Sequence, residues 1–291
     1  MQKSSVYLPE QLKSDLSALA LRSRRAEADL IRQAIERLLA VADAEEEQTA
    51  SPASQPRRRG PLLIGVGVGP GDPRQVTQMA KDTLAGADRV FAVSWTSRSI
   101  GRAEMVARAV APMVPIERLA HDIAADAAGR RRSLVAAADA IVAALDAAEV
   151  VAVITLGDPS MWSVFPDLVA EIAAQRPTVP AEMVPGITSY QALAATTNTT
   201  LARPGQTLVV VDGAVPAAAL DDPDTSIVVY KGAPEATVLR QQVSAAGRLD
   251  RAVVGELIGL PGERVDTLSE IPRGPVSYLA TVILPAGETD R

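Results

Sequence analysis

The sequence predicts an α/β protein preceded by a small β-α-α module. Three observations carry this. From Pro61 onward, short β-branched runs alternate with Ala-rich helical stretches, the pattern of sheets covered by helices. Residues 1–42 hold one short strand and two helical stripes. Between the two lie residues 43–60, DAEEEQTASPASQPRRRG. An acidic cluster, a Ser/Pro/Gln stretch and three arginines cannot bury a core, and they read as a flexible linker.

Bulk numbers bound the function. A chain of 291 residues suggests two domains, and 47% hydrophobic residues suffice for a sizeable core. The 29 Lys+Arg against 35 Asp+Glu give a net charge of −6, which argues against nucleic acid as the ligand of the whole chain. With no cysteine there is no disulfide framework, thiolate metal site or Cys nucleophile. With one histidine, His121, no multi-His metal site is expected. His121 sits beside Asp122 in a polar stretch and reads as a surface residue rather than a base. The N-terminus shows no signal-peptide pattern, and runs such as Val150-Val151-Ala152-Val153-Ile154 are far too short to span a bilayer. A cytoplasmic protein without a membrane partner is expected.

In the first module, Val6 and Leu8 share one face of a strand at Ser4–Leu8. Pro9 ends the strand and opens a helix, where proline is tolerated. Leu12, Leu16, Leu19 and Ala20 mark its apolar face. After the basic turn Arg22–Arg25, a second helix carries Leu30, Ile31, Ala34, Ile35, Leu38 and Leu39 on one stripe. So small a unit cannot bury both stripes alone and needs a partner. The stretch VYLPEQLKSDLSALA…EADLIRQAIERLL resembles the ribbon-helix-helix family. That resemblance implies a homodimer whose paired strands enter the major groove of double-stranded DNA. It would place Lys3, Ser5 and Tyr7 toward the bases and Arg24 and Arg25 near the phosphates. The sequence departs from the family at Ala26, where a Ser or Thr usually opens the second helix.

In the larger region, strands are predicted at Leu62–Val68, Asp88–Val93, Val150–Thr155, Ala181–Val184, Thr207–Val211, Ser226–Tyr230, Arg251–Leu257 and Ser277–Leu284. The clearest helix is Ser133–Ala147, with Leu134, Ala138, Ile141, Val142 and Leu145 at helical spacing. Four loops follow predicted strands: GVGVGPGDP from Gly65, LGDPSMW from Leu156, VPGITSYQA from Val184, and YKG from Tyr230. The first two place Asp72-Pro73 and Asp158-Pro159 at expected helix starts. A dinucleotide fingerprint fails, because G-x-G-x-x-G from Gly65 or Gly67 meets Pro70 or Asp72. The C-terminal ends of strands are where open α/β sheets bind ligands.

In this order, GVGVGPGDP, TLGDPSMWS, VPGITSYQALAA, YKG and SYLATVIL resemble the tetrapyrrole (corrin/porphyrin) methylase family over residues 61–286. Within it, LGDPSMWSVF and VVGELIGLPGERVDTLSEIP look most like precorrin-2 C-20 methyltransferases. The resemblance implies a two-lobed fold, with lobes at 61–178 and 179–291 and S-adenosylmethionine as cofactor. By position, Pro70, Gly157, Asp158, Met161, Thr188, Ser189, Tyr230, Lys231 and Ala280 would bind it. Lys231 stands where the family often has Met. No catalytic residue is assigned, since a sulfonium methyl is already activated and the enzyme chiefly aligns the reactants. A tetrapyrrole substrate carries carboxylates, for which Arg74, Arg98, Arg102 and Arg203 are candidate partners. A second reading, of a different class, is a DNA-binding regulator that uses the methylase fold as a sensor of cofactor or tetrapyrrole.

Overall fold

The computed structural model describes residues 9–23, 25–32, 34–35, 60–94, 100–121, 125–148, 150–230, 236–270 and 280–287. The chain forms two compact units, Met1–Arg57 and Arg58–Arg291. In the first, α1 spans Glu10–Ser23, directly after Pro9, whose carbonyl accepts from the Lys13 amide at 3.0 Å. Residues 27–32 and 34–35 are again helical. The Ser17 hydroxyl donates to Glu27 at 2.6 Å and ties the two helical stretches together. Leu12, Leu19 and Ile35 remain 53%, 43% and 46% exposed, so these parts of the stripes are uncovered in one copy. The expected strand Ser4–Leu8 and nearly all of the linker lie outside the described residues.

The second unit holds two five-stranded sheets. The first has order β3-β2-β4-β1-β5, with β1 Leu62–Gly67, β2 Arg89–Ser94, β3 Ile116–Ala120, β4 Val150–Thr155 and β5 Ala181–Val184. All its pairings are parallel. Parallel neighbours need crossovers, and helices supply them. Ala80 and Leu84 of α2 (Gln78–Gly86), with Val106 and Ala107 of α3 (Arg102–Val110), cover the face of Leu62, Ile64 and Val66. Ile141 of α4 (Ala127–Leu145) and Phe165 and Leu168 of α5 (Phe165–Gln175) cover the face of Leu63, Val151 and Val153. β1 is buried along its whole length, which explains its unbroken apolar run.

The second sheet has order β6-β7-β10-β8-β9: β6 Thr207–Asp212, β7 Thr225–Tyr230, β8 Val253–Glu256, β9 Arg264–Thr267 and β10 Thr281–Leu284. β6 and β7 are parallel, while β10 runs antiparallel to both β7 and β8. Leu193 of α6 (Ser189–Thr196) packs on one face with Val228 and Ile283. Leu220 of α7 (Ala217–Asp221) and Val243 of α8 (Ala236–Ala245) pack on the other with Val229 and Val282. Arg248 clasps this sheet by donating to the carbonyls of Thr225, Leu284 and Pro285.

Several expectations shift. β5 pairs with β1, so the change from one sheet to the other falls within residues 185–206, beyond the 178/179 boundary read from sequence. Asp72 caps only a 3₁₀ turn, Pro73–Gln75, and Thr77 caps α2. Asp158-Pro159 enters a turn, and α5 starts at Phe165. α4 starts earlier than expected because Asp126 caps it, accepting from the Gly129 amide at 2.7 Å. Leu249–Arg251 forms a 3₁₀ turn, which shortens the strand expected at Arg251–Leu257. Residues 277–279 of the last expected strand lie outside the described residues. β3 and β9 have no counterpart among the strands that the sequence predicts. Among the described residues, no helix is long and apolar enough to cross a membrane.

Candidate active site

β4, β1 and β5 lie side by side and end at one edge of the first sheet. Their turns supply Gly67, Gly69, Pro70 and Gly71 after β1, Gly157 and Asp158 after β4, and Gly186 after β5. Gly157 donates to the Gly69 carbonyl at 2.7 Å, and Gly69 donates back at 3.3 Å. The φ angles of Gly69 and Gly157 are +74° and +73°, a left-handed conformation that favours glycine. A Cβ on Gly67 would lie 2.6 Å from the Gly157 carbonyl oxygen and 2.7 Å from the Gly186 nitrogen. A Cβ on Gly186 would collide with the same Gly157 carbonyl. Three backbones therefore meet at a distance no side chain permits. A Cβ on Gly157, by contrast, would meet nothing within 4 Å. Its outer side is open for a ligand to approach bare backbone. Pro70 is buried within this junction.

Asp158 locks the turns together. One carboxylate oxygen accepts from the Gly186 amide at 2.9 Å, and the other accepts from the Ser160 amide at 2.8 Å and hydroxyl at 2.5 Å. Burial raises its pKa, but the Ser160 hydroxyl and the Gly186 and Ser160 amides outweigh burial and hold it below the usual carboxylate value. Asp158 is thus an ionised brace for the glycine turns.

The second sheet contributes side chains. Thr188 caps α6 in a reciprocal arrangement with Gln191. The hydroxyls of Ser189 and Thr281 are 2.8 Å apart. Thr281 pairs in register with Tyr230 across β10 and β7. Burial pushes the Tyr230 phenol upward, against hydrogen bonding from Ser189, Thr188 and the Tyr190 backbone, so it stays neutral near pH 7. Gly71 docks against Gly259 and Leu260, where a Cβ would be 2.6 Å from the Leu260 side chain. This contact joins the first-sheet turns to the β8–β9 connection.

Of the residues singled out from sequence, Gly157 and Asp158 share the glycine junction, with Pro70 in the same turn as Gly69. Thr188, Ser189 and Tyr230 share the second-sheet cluster, and Ala280 lies buried beside Thr281. Met161 is half-buried, its amide 3.2 Å from the Asp158 carbonyl. Lys231, Arg98, Lys3, Ser5, Tyr7 and Arg24 lie outside the described residues. Arg25 is exposed, its amide donating to the Ala20 carbonyl at 3.1 Å. Arg74 is exposed but bound to Asp72 at 2.6 Å, while Arg102 and Arg203 are exposed. His121 is half-buried rather than on the open surface, with Nδ1 3.0 Å from the Ser133 hydroxyl. Sequence reasoning assigned no role to Gly67, Gly186, Trp162 or Thr281. The glycines stand inside the loop motifs, and Thr281 is the one hydroxyl of β10, Thr281–Leu284.

The family profile described as Tetrapyrrole (Corrin/Porphyrin) Methylases matches residues 62–272. The chain is 31% identical over 242 residues to the cobalamin biosynthesis protein CobIJ of Mycobacterium tuberculosis H37Rv, covering 77% of this chain and 46% of that protein. It thus spans about half the length of that relative. It is 28% identical over 241 residues to a precorrin-2 C(20)-methyltransferase of Sinorhizobium sp, covering 79% of this chain and 96% of that one. The fold matches uroporphyrin-III C-methyl transferase from Thermus thermophilus, complexed with S-adenyl homocysteine, at TM-score 0.53 and 22% identity, over 78% of this chain and 97% of the other. It also matches a cobalamin-synthesis-related protein, CobF, from Corynebacterium diphtheriae, at TM-score 0.56 and 16% identity, over 78% and 98% of the two chains.

Proposed function

Because the chain belongs to the tetrapyrrole (corrin/porphyrin) methylase family, we propose that it is an S-adenosylmethionine-dependent C-methyltransferase acting on a corrin precursor of the precorrin-2 type. The observation that carries this reading is the junction of Gly67, Gly157 and Gly186. It presents open backbone at Gly157 beside a braced carboxylate and is linked to the hydroxyl and aromatic groups of the second sheet. These residues fit a nucleoside-bearing cofactor, since close approach to backbone is what a glycine turn permits. When bound, S-adenosylmethionine supplies a methyl on a positively charged sulfur, which a nucleophilic ring carbon takes while the sulfur leaves as a thioether.

The chain's own part is alignment. Gly157, Met161, Thr188, Ser189, Tyr230 and Ala280 line the cofactor, with Pro70 toward the substrate, and Lys231 is a further candidate by its sequence position alone. Asp158 acts mainly as a positioning residue, because both of its oxygens are engaged by protein donors. Arg74, Arg98, Arg102 and Arg203 are the candidate partners of substrate carboxylates. The similarity to a precorrin-2 C(20)-methyltransferase supports the substrate class. Incubation with S-adenosylmethionine and precorrin-2, followed by mass analysis, should show one added methyl group. Cofactor binding without any methylated product would sink the substrate assignment.

A second part of the reading concerns the N-terminal unit. The exposed Leu12, Leu19 and Ile35 favour burial against a second copy, as in a ribbon-helix-helix homodimer. Such a dimer would present Lys3, Ser5 and Tyr7 to DNA. Selection from random duplex DNA at low salt should yield a preferred sequence, lost when Lys3 and Tyr7 are both changed to Ala. If the full-length protein selects no sequence, the unit serves dimerisation alone.

A further inference from the structure

Trp162, Tyr190 and Tyr230 form an aromatic cluster beside the glycine junction. The Trp162 and Tyr230 ring centroids are 5.1 Å apart at 45°, and Tyr190 meets Tyr230 edge-on at 5.8 Å. The cluster joins the junction at two points. The Met161 amide donates to the Asp158 carbonyl, so Trp162 leaves the tight turn that begins at Asp158. Tyr190, which meets Tyr230 edge-on, follows Thr188 and Ser189 at the start of α6, and the Gly186 amide just before them donates to Asp158. Chain links and contacts together run in a circuit from Asp158 through Gly186, Tyr190, Tyr230 and Trp162 back to Asp158.

Trp162 is an unusual member of that circuit. Its φ is +46°, a conformation bulky residues rarely adopt. Its side chain also stays exposed: the residue is 42% accessible although its ring packs on Tyr230. A structural core tryptophan would be neither. Such outliers are held by their surroundings and gather at ligand sites. Charge narrows the ligand. Asp158 is the one charged member of the circuit, and both its oxygens already accept hydrogen bonds. A cation here would meet ring faces rather than a free carboxylate. Ring faces attract cations within about 6 Å, and indole does so most strongly.

We propose that Trp162, backed by Tyr230, is a cofactor-binding residue that holds the sulfonium of S-adenosylmethionine against its indole through a cation–π contact, so that the site prefers the charged cofactor over its neutral thioether product. This rests on the cofactor reading above. S-adenosylhomocysteine carries the same adenosine and amino-acid parts but no charge on sulfur, so comparing the two ligands isolates the contact. Calorimetry on the full-length protein tests it with both ligands. Trp162→Ala should weaken S-adenosylmethionine by about fivefold or more while S-adenosylhomocysteine changes by less than about twofold. Trp162→Phe should fall between Ala and wild type. Retained S-adenosylhomocysteine binding shows that the variant is folded. Equal loss for both ligands, or unchanged S-adenosylmethionine affinity, overturns the proposal. Failure of the wild type to bind either ligand overturns the cofactor reading and this proposal with it.

Discussion

The site is built from two unlike materials. The first sheet contributes backbone: three glycine turns packed so closely that a single Cβ at Gly67 or Gly186 has no room. The second sheet contributes side chains: Thr188, Ser189, Tyr230 and Thr281, joined through hydroxyls and ring contacts. The difference sets tolerance. A backbone contact cannot rotate aside, so adding one carbon there is an all-or-none perturbation. A side-chain wall loses one group at a time, and its losses should be graded.

The largest effect should therefore come from Gly186→Ala. Its Cβ would drive into the Gly157 carbonyl, which is itself fixed by the Gly69 pair. Overpacking of this kind costs up to ~3 kcal/mol. For a unit of this size that is a drop of roughly 6–12 °C in Tm. Ser189→Ala removes the 2.8 Å hydroxyl contact with Thr281 and should cost about 1 kcal/mol. Thermal melts that rank these two variants equally would erase the distinction between the walls.

Asp158→Asn tests the brace on the backbone wall and should come next. It replaces an ionised acceptor of three hydrogen bonds by a neutral amide whose NH₂ faces a donor. The expected cost is about 1–2 kcal/mol at pH 7, at the low end for charged hydrogen bonds because the carboxylate is partly exposed. The pH dependence has a definite sign. A carboxyl whose folded pKa is lowered stabilises the fold fully above its unfolded value, about 3.9, and loses that contribution as pH falls through the folded value. Urea unfolding at pH 7 and pH 3 should show a smaller acid loss in the variant than in the wild type. Equal acid losses would mean that Asp158 does not hold the turns.

The contrast also explains what the sequence revealed. A backbone wall must be written in glycine, so the turns at Gly67–Gly71, Gly157 and Gly186 stood out within their motifs. Val150–Thr155 and Ala181–Val184 were legible to the residue for a related reason: the first is central and buried and gives an unbroken apolar run, and the second is bounded by proline on both sides. The side-chain wall was hidden, since Ser189 and Thr281 lie far apart in sequence and only folding shows that they meet. The strands that the sequence pattern does not reveal, β3 and β9, are sheet edges. Edge strands carry charge that masks the apolar pattern. Glu117 pairs with Arg89, Arg118 is neutralised by the fully buried Glu104, and Arg264 pairs with Glu256. None of those partners can be chosen from sequence spacing. After Asp158 the local cap bond does form, since one carboxylate oxygen accepts from the Ser160 amide while the other accepts from Gly186, but only a turn follows and the helix starts at Phe165.

The smallest effect should come from Tyr230→Phe, which keeps the ring and removes only the hydroxyl. Stability at pH 7 should fall by about 1 kcal/mol or less, the worth of one hydrogen bond among several. Its signature lies at alkaline pH. Burial raises the Tyr230 pKa in the fold, so the folded state holds this proton after the unfolded chain has released it. Stability should decline as pH rises past the unfolded value, about 10, toward the folded one. Tyr230→Phe cannot ionise and should lose less stability across that window than the wild type, measured by urea unfolding at pH 9 and pH 11. Because the ring contact with Trp162 does not need the hydroxyl, the same variant should keep the preference for S-adenosylmethionine over S-adenosylhomocysteine. An identical alkaline decline in both proteins would show that the Tyr230 hydroxyl is solvated in the fold and that this residue joins the second-sheet wall through its ring alone.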